Sequence, residues 1–242
     1  ALLVATLATT AYFINRRCTI ESFSSEVYNL AIESLAENKD FYFSRHGEFK
    51  ELNRNHPLWY ILPFHKDYFD ANHYIKLTYC GENIEICNLH AIYETGNSGH
   101  FHRCDSFVGQ LCKLEFKTNT FGDMYLLPKN PAIANSVNSY EKPKPRCTQP
   151  LHEYDLSGTC IANYFTVWTT NDDLVKETLT STVMGNILDI AMSDNITLSF
   201  VITGGNMYMA LNTGVLSTYY DLDYDTAKNI SVEQVTESLR GV

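Results

Sequence analysis

Two histidines and a cysteine stand at alternate positions of the sequence, at His100, His102 and Cys104. Alternate residues of a β-strand share one face, so this spacing would place two imidazoles and a thiol side by side. Zinc prefers these ligands, and a structural zinc site needs four of them. The rest of the set would come from the preceding hairpin, which offers Cys80, Cys87 and His90.

The competing interpretation of this segment is a solvent-exposed hairpin tip without a metal. Structural zinc sites usually contain Cys-x-x-Cys pairs, and the seven cysteines of this chain include no such pair. An odd number of irregularly spaced cysteines is also a poor disulfide framework and is typical of free thiols in a reducing compartment. We therefore favour free cysteines and no bound metal, with the zinc site as an alternative.

A second acidic pattern resembles the start of a calcium loop, at Asp221, Asp223 and Asp225. That loop requires glycine at its sixth position and glutamate at its twelfth, where this chain has Thr226 and Val232. A solvated acidic turn explains the aspartates better. The sequence also contains no glycine-rich nucleotide-binding fingerprint and no local nucleophile motif. It therefore indicates no cofactor and assigns no catalytic residue.

The balance of charges bears on the partners of the protein. The chain has 18 Lys and Arg against 28 Asp and Glu, which gives a formal net charge of −10. Such a charge repels a phosphate backbone, and the only basic run is the pair Arg16 and Arg17. We therefore expect no nucleic-acid partner.

The first 14 residues contain no charge and are followed closely by two arginines. Because a membrane-spanning helix needs about 20 apolar residues, we expect residues 1–17 to be the end of a transmembrane helix whose upstream part is missing. The arginines favour a cytoplasmic location, at the inner membrane, for the residues after them. A signal peptide and a buried helix are the alternatives. The predicted anchor residues are Leu2, Leu3, Val4, Leu7, Tyr12, Phe13, Ile14, Arg16 and Arg17.

The rest of the chain predicts an α+β fold built mostly from antiparallel hairpins. Residues 18–40 show helical spacing and would form a juxtamembrane helix, and residues 41–242 would form one soluble domain. Alternating patterns predict one hairpin at 74–79 and 84–93, around Gly81-Glu82-Asn83, and another at 197–203 and 207–211, around Gly204-Gly205-Asn206. Further strands are expected at 107–116, 124–127 and 165–169.

Two helices and a loop complete this prediction. One packed central helix would begin near Asp172 and Asp173, which can cap it, and would end at about residue 193. A weaker helix is expected at 230–239. The prolines between residues 128 and 150 predict a surface loop. The residues expected on the buried face of the central helix are Leu174, Val175, Leu179, Val183, Ile187, Leu188 and Ala191.

Several strings of the sequence, taken in order, resemble the bacterial family known as domain of unknown function 3137. They extend over roughly residues 16–221. The resemblance implies hydrophobic N-terminal spans followed by a soluble α+β region, and it supplies neither an activity nor a catalytic residue. The strings are Glu85-Ile86-Cys87-Asn88-Leu89-His90-Ala91, Phe107-Val108-Gly109-Gln110-Leu111, Phe165-Thr166-Val167-Trp168-Thr169-Thr170-Asn171-Asp172, Leu179-Thr180, Leu198-Ser199-Phe200 and Asn206-Met207-Tyr208-Met209-Ala210.

These observations favour a non-enzymatic module that is tethered to the inner membrane, faces the cytoplasm and binds a protein partner. The first alternative is a metal-dependent enzyme or zinc site around His100, His102 and Cys104. The second alternative is a domain that binds a lipid headgroup or a cell-envelope ligand, which would require an apolar concave pocket.

Overall fold

Nine antiparallel strands form a single sheet in the computed structural model. The structure describes Leu30 and residues 41–44, 52–63, 66–79, 82–97, 100–116, 121–129, 140–144, 150–192 and 196–214. The strands are β1 (Phe41–Ser44), β2 (Tyr68–Tyr79), β3 (Glu82–Asn97), β4 (His100–Glu115), β5 (Met124–Pro128), β6 (His152–Tyr154), β7 (Phe165–Thr169), β8 (Thr197–Thr203) and β9 (Asn206–Asn212). Their order in the sheet is β1-β2-β3-β4-β9-β8-β5-β7-β6.

Three helices accompany the sheet in the described part of the chain. They are a 3-10 helix, η1 (Pro57–Ile61), and two α-helices, α1 (Asp172–Thr178) and α2 (Ser181–Met192). The antiparallel sheet and the two α-helices confirm the predicted α+β class at this level.

The central strands of the sheet are covered on both faces. All seven residues of β8 are buried, as are the first four of β5. On the first face, Tyr125 and Val201 pack with Leu58 and Ile61 of the η1 segment. On the second face, Leu126 and other strand residues pack with Leu174 and Val175 of α1, Ile187 of α2, and Leu179 between the two helices. Burial on both faces explains why consecutive residues are apolar at Tyr125-Leu126-Leu127 of β5 and at Phe200-Val201-Ile202 of β8.

Both predicted hairpins are present, with longer strands than the sequence indicated. The expected turn at Gly81-Glu82-Asn83 is wrong in part, because Glu82 and Asn83 belong to β3 and pair with Tyr79 and Thr78. The turn of the second hairpin is confirmed at Gly204 and Gly205, both of which have positive φ. Asn206, predicted as a turn residue, already pairs with Thr203 in the ladder. Polar residues next to a turn can therefore still take part in strand pairing.

The single central helix predicted from residue 172 to about 193 is wrong, because the chain forms two helices there. Leu179 leaves the helical conformation, with φ −89° and ψ 62°, although its N–H still donates to the Val175 carbonyl. The Thr180 hydroxyl then accepts from the Val183 N–H at 3.4 Å and caps the next helix. Asn171, and neither of the two predicted aspartates, caps the first helix by accepting from the Asp173 N–H at 3.1 Å. A periodic apolar face can therefore continue across a break in the backbone.

Several predictions fall on residues outside those that the structure describes. They are the anchor at 1–17, all of the juxtamembrane helix except Leu30, the helix at 230–239 and the acidic turn at Asp221. Leu30 is helical and exposed. Among the described residues, no helix has both the length and the apolar character needed to cross a membrane. Within the predicted loop at 128–150, Tyr140 forms a β-bridge with Pro63.

Gly109 lies where β4 meets β9, in one of the strings that carried the family resemblance. A Cβ at this position would collide with the backbone carbonyl of Leu211, and it would lie 3.0 Å from the Cα of Asn212. Both atoms belong to the backbone of a paired strand, so neither can move without disturbing the ladder. The glycine is thus required by close packing of two strands.

We predict that Gly109→Ala lowers the free energy of unfolding by about 3 kcal/mol, the upper end of the range for overpacking. Gly185→Ala is the matched control, because a Cβ there meets no atom within 4 Å. In a helix this control should raise stability by roughly 0.5–1 kcal/mol. Urea unfolding of the two variants measures both values. Equal stability of Gly109→Ala and the parent chain would contradict the packing argument.

Candidate functional site

A cavity of about 640 Å³ opens at one end of the sheet, where β6 leaves β7. The last pair of this ladder is Tyr154 with Val167, so Phe165 and Thr166 of β7 extend beyond β6. The loop 155–164 runs around the gap and closes it. The residues that line the cavity are Lys129, Glu153, Tyr154, Asp155, Leu156, Ser157, Gly158, Ala162, Asn163, Phe165 and Thr166.

The loop around the cavity is held by its own hydrogen bonds. The Asp155 carboxylate accepts from the Ser157 N–H at 2.8 Å, which is an Asx-turn. Ile161 anchors the other end, because its carbonyl accepts from the N–H groups of Tyr164 and Phe165, each at 3.0 Å. The side chains of Leu156, Ile161 and Phe165 are buried in the core on the second face. The cavity therefore has an apolar floor fixed in the core and a largely polar rim.

Three charged side chains stand around this rim. The Lys129 ammonium donates to the Ala162 carbonyl at 2.7 Å, which ties the end of β5 to the loop. Hydrogen bonds from the Ser157 hydroxyl and backbone N–H hold the pKa of the Asp155 carboxyl below its usual value. Glu153 is exposed on β6. No described cation lies within ion-pair distance of Glu153 or Asp155. The rim thus presents two carboxyl groups without an ion-pair partner, and its lysine is already bonded.

A second unusual feature is the buried amine of Lys66, between η1 and β2. The side chain is only 4% exposed. Its Nζ donates to the Pro63 carbonyl at 2.8 Å and lies 4.2 Å from the centre of the Trp59 ring. The Arg54 guanidinium lies 5.6 Å from the centre of the same ring. The indole is therefore flanked by two cations.

Burial lowers the pKa of Lys66 to about 7, because the charged amine loses most of its hydration. The Glu141 carboxylate opposes this shift, and the nearby Arg54 charge adds to it. Glu141 follows Tyr140, which bridges to Pro63. The amine thus lies at the junction of the η1 segment with residues 140–144. Because it has little access to solvent, we regard it as a structural feature and not as a ligand site.

The three predicted metal ligands occupy one end of β4. His102 is exposed and Cys104 is half-buried opposite Tyr93, within hydrogen-bonding reach of its hydroxyl. The backbone of His100 pairs with Asn97 in the ladder, whereas its side chain lies outside the described part of the structure. The backbone therefore confirms that the three residues occupy alternate positions on one strand. Zinc binding by the three residues stays a prediction.

Two of the three ligands expected from the preceding hairpin, Cys87 and His90, lie away from this group, and the third, Cys80, lies outside the described residues. Cys87 is fully buried and pairs with Leu111, seven residues along β4 from Cys104, which corresponds to roughly 20 Å. His90 bonds to Asp105 through its Nε2 at 2.7 Å, on the face opposite to Cys104. Among the residues whose side chains are described, no group of three or more His, Cys, Asp or Glu is arranged to hold a metal.

Four of the seven cysteines fall among the described residues, and they form no disulfide with one another. They are Cys87, Cys104, Cys112 and Cys160. Burial raises the pKa of the Cys112 thiol to about 11. A thiol with such a pKa is almost entirely protonated at neutral pH and is a poor nucleophile.

Sequence reasoning missed both the cavity and the buried lysine. The string Asp155-Leu156-Ser157-Gly158 is a turn signal, which would have located the loop but not the space beneath it. Lys66 stands between His65 and Asp67, just after the apolar run 57–64, so the sequence contains no signal for a buried amine.

The fold and the site define an antiparallel α+β domain with a polar cavity at a sheet edge. A family model described as protein of unknown function (DUF3137) matches residues 105–237, more than half of the chain. The chain therefore belongs to this family, as the resemblance in its sequence indicated. The matched region contains every residue that lines the cavity. Of the residues described around Lys66, Tyr140 and Glu141 lie inside the matched region, whereas Arg54, Trp59, Pro63 and Lys66 itself precede it.

One solved structure that resembles the chain is the crystal structure of the mycobacterial trehalose monomycolate transport factor A, TtfA. It aligns with a TM-score of 0.40 and 14% sequence identity, over 87% of this chain and 94% of that chain. A likeness this distant carries no argument about the site. The comparison with curated proteins found no match.

We predict that Lys66→Met raises the free energy of unfolding by about 1–4 kcal/mol at pH 6.5, because a buried charge is replaced by an apolar side chain of similar length. The gain should shrink as the pH rises. Between about 7 and the ordinary lysine pKa of 10.5, the unfolded parent binds the proton that the folded parent has lost, so the parent itself gains stability with pH.

Denaturant unfolding of parent and variant at several pH values between 6.5 and 10 measures this difference. Lys176→Met is the matched control, because that lysine is exposed on α1. It should change stability by less than about 0.5 kcal/mol. If Lys66→Met is destabilising at pH 6.5 by an amount that pH does not alter, the ammonium stabilises the fold and our interpretation of its burial is wrong.

Proposed function

We propose that this domain is a non-catalytic binding module, held at the membrane by its N-terminal segment, and that its ligand site is the cavity beside β6. The observation that carries this proposal is the cavity itself. Its volume of about 640 Å³ is within the usual range of roughly 300–1,000 Å³ for ligand pockets. Its floor belongs to the core, so the site is pre-formed.

The ionisable groups around the cavity support binding over acid–base catalysis. A general acid or base works best when its pKa is near the working pH. The pKa of Asp155 is shifted down and away from neutrality, because Ser157 donates hydrogen bonds to the ionised form. The Lys129 ammonium is engaged by a carbonyl. Both groups are suited to hold fixed charges against a ligand.

The lining of the cavity also favours a polar ligand over an acyl chain. The apolar side chains at its floor, Leu156 and Phe165, turn into the core and are buried. Asp155, Ser157 and Asn163, which carry carboxylate, hydroxyl and amide groups, are among the residues that line the cavity. A peptide offers matching hydrogen-bond groups, so a protein partner fits this site better than a lipid tail does.

The proposed location at the cytoplasmic side of the inner membrane rests on two features. The uncharged run of residues 1–14 is followed by Arg16 and Arg17, as expected at the inner boundary of a span. The four described cysteines form no disulfide with one another, which suits a reducing compartment. The module would then present its cavity close to the membrane surface.

We predict that the full-length protein stays with the membrane pellet in alkaline carbonate and is released only by detergent. Replacing Leu3, Val4 and Leu7 together by Asp should move it to the soluble fraction, since charged residues are strongly disfavoured in hydrocarbon. Protease added to intact spheroplasts should leave the domain uncut if it faces the cytoplasm. Release by carbonate, or cleavage from outside, would contradict the proposed tether or its orientation.

Binding in the cavity is testable with the N-acetyl methylamides of the twenty amino acids, used as probes at millimolar concentration. We predict that the lysine and arginine compounds perturb the amide NMR signals of Leu156, Asn163 and Thr166. Ser157→Trp should abolish these changes by filling the opening, whereas Ser181→Trp, at an exposed serine of α2, should leave them intact. If no compound perturbs these signals, or if Ser157→Trp has no effect, the cavity is not the ligand site.

A further inference from the structure

The outer edge of β6 lies next to the cavity but is not part of the proposed ligand site. β6 is the last strand in the sheet order and pairs only with β7. Within the described part of the chain, no strand pairs with its other side. His152 and Glu153 are exposed. Backbone N–H and C=O groups along such an edge are available to pair with another chain.

We infer that this edge receives an extended segment of a protein partner as an additional strand, and that the segment carries a lysine or arginine opposite Glu153. The inference rests on the proposed function, because the same segment would direct a neighbouring side chain into the cavity. Strand addition of this kind combines main-chain hydrogen bonds with pockets for particular side chains.

The register of β6 determines which side chains the added strand would meet. Glu153 pairs with Trp168 and shares its face of the sheet, whereas Tyr154 and His152 lie on the other face. A residue of the added strand that pairs with Glu153 would lie beside its carboxylate. The next residues of the added strand, in one direction, reach the gap between Asp155 and Thr166, where the cavity opens.

The charges around β6 select the kind of segment. Glu153 and Asp155 are carboxylates near this edge without an ion-pair partner among the described residues, and Lys129, which also has none, donates to the Ala162 carbonyl instead. The others are engaged: His152 bonds Asp172 at 2.8 Å, Lys176 bonds Asp173 at 2.9 Å, and Lys142 lies 4.2 Å from the centre of the Trp168 ring. A basic side chain would supply the ion-pair partner that these two carboxylates lack.

The same charges disfavour a second copy of this chain as the occupant. Two β6 edges pairing with each other would bring their Glu153 and Asp155 carboxylates together, and like charges on neighbouring strands are destabilising. Pairing between two β6 edges is thus disfavoured, whereas pairing with a basic segment is favoured. Charged edge strands avoid non-specific pairing in this way.

The test uses the full 242-residue chain and three acetylated hexapeptide amides of alternating valine and threonine. The first has one central lysine. The second has glutamate in its place. The third keeps the lysine but is N-methylated at the lysine and at the residues on both sides of it, which removes the central main-chain donors towards both strand edges and retains the side chains. Amide NMR titration follows β6 and Thr166, and gives the dissociation constant of each peptide.

We expect the lysine peptide to bind about fivefold more tightly than the glutamate peptide, which corresponds to the upper end of a cross-strand ion pair. Its perturbations should include the amides of β6. The N-methylated peptide should bind no better than the capped lysine probe. Glu153→Lys should reverse the preference between lysine and glutamate, whereas Glu177→Lys, at an exposed position of α1, should not.

Each of the other outcomes contradicts one of the two proposals, strand addition or ligand binding in the cavity, or the identity of the occupant. If the capped amino acids bind in the cavity but N-methylation does not weaken the peptide, strand addition is wrong and the cavity proposal stands. If neither capped amino acids nor peptides bind, both are wrong. If the lysine and glutamate peptides bind equally, the proposed selection of the segment by charge is wrong. Perturbation of β6 amides by raising the protein concentration alone would identify a second copy as the occupant.

Discussion

Burial of the central strands on both faces is the constraint on which the rest of this structure depends. β8 is buried along its whole length, and β5 places Tyr125 against one layer and Leu126 against the other. Such strands must be covered on both faces, because each exposed face would present a large apolar surface to water. The η1 segment on one face and the α-helices on the other are therefore required by the sheet. Polar ligand sites are displaced from the covered centre towards the sheet edge.

A small set of polar contacts joins the strands that carry the site to this centre. The Asp123 carboxylate accepts from the Thr203 hydroxyl at 2.7 Å, and the Asp123 carbonyl accepts from the Thr169 hydroxyl at 3.0 Å. The Thr170 hydroxyl accepts from the Asp123 N–H at 2.8 Å, and Asn171 caps α1. One aspartate thus links β5, β7 and β8 at the end of β7 opposite the cavity. These contacts give a structural role to the Thr-Thr-Asn string that carried the family resemblance.

The sequence predicts those parts of the fold in which local pattern and tertiary environment agree. The hairpin of β8 and β9 has a two-glycine turn between apolar strands, and the buried face of α1 and α2 follows helical spacing. It does not predict β6, because three residues are too few to show alternation. The break at Leu179 was hidden for a different reason, since the apolar face continues through it. Local patterns report which face is buried more reliably than they report where the backbone is interrupted.

The candidate site was harder to predict from the sequence than the fold, for physical reasons. A cavity depends on how a loop returns over a strand, and nothing in the turn signal at Asp155 specifies the space left beneath it. The metal hypothesis began from alternate positions on β4, which the backbone confirms. Its expected fourth ligand depended on long-range register, and the structure places Cys87 and His90 elsewhere. Chemistry that requires several strands to converge cannot be established from spacing on one strand.

Amide hydrogen exchange of β6 in the native setting tests the central claim, that recognition occurs at this edge, most directly. Exchange at residues 151–158 would be compared between the protein in gently lysed cells of its source and the purified chain. We predict that these amides exchange at least about tenfold more slowly in the lysate, because a partner strand supplies their missing hydrogen bonds. Unchanged exchange at β6, with protection appearing on another surface, would contradict the account.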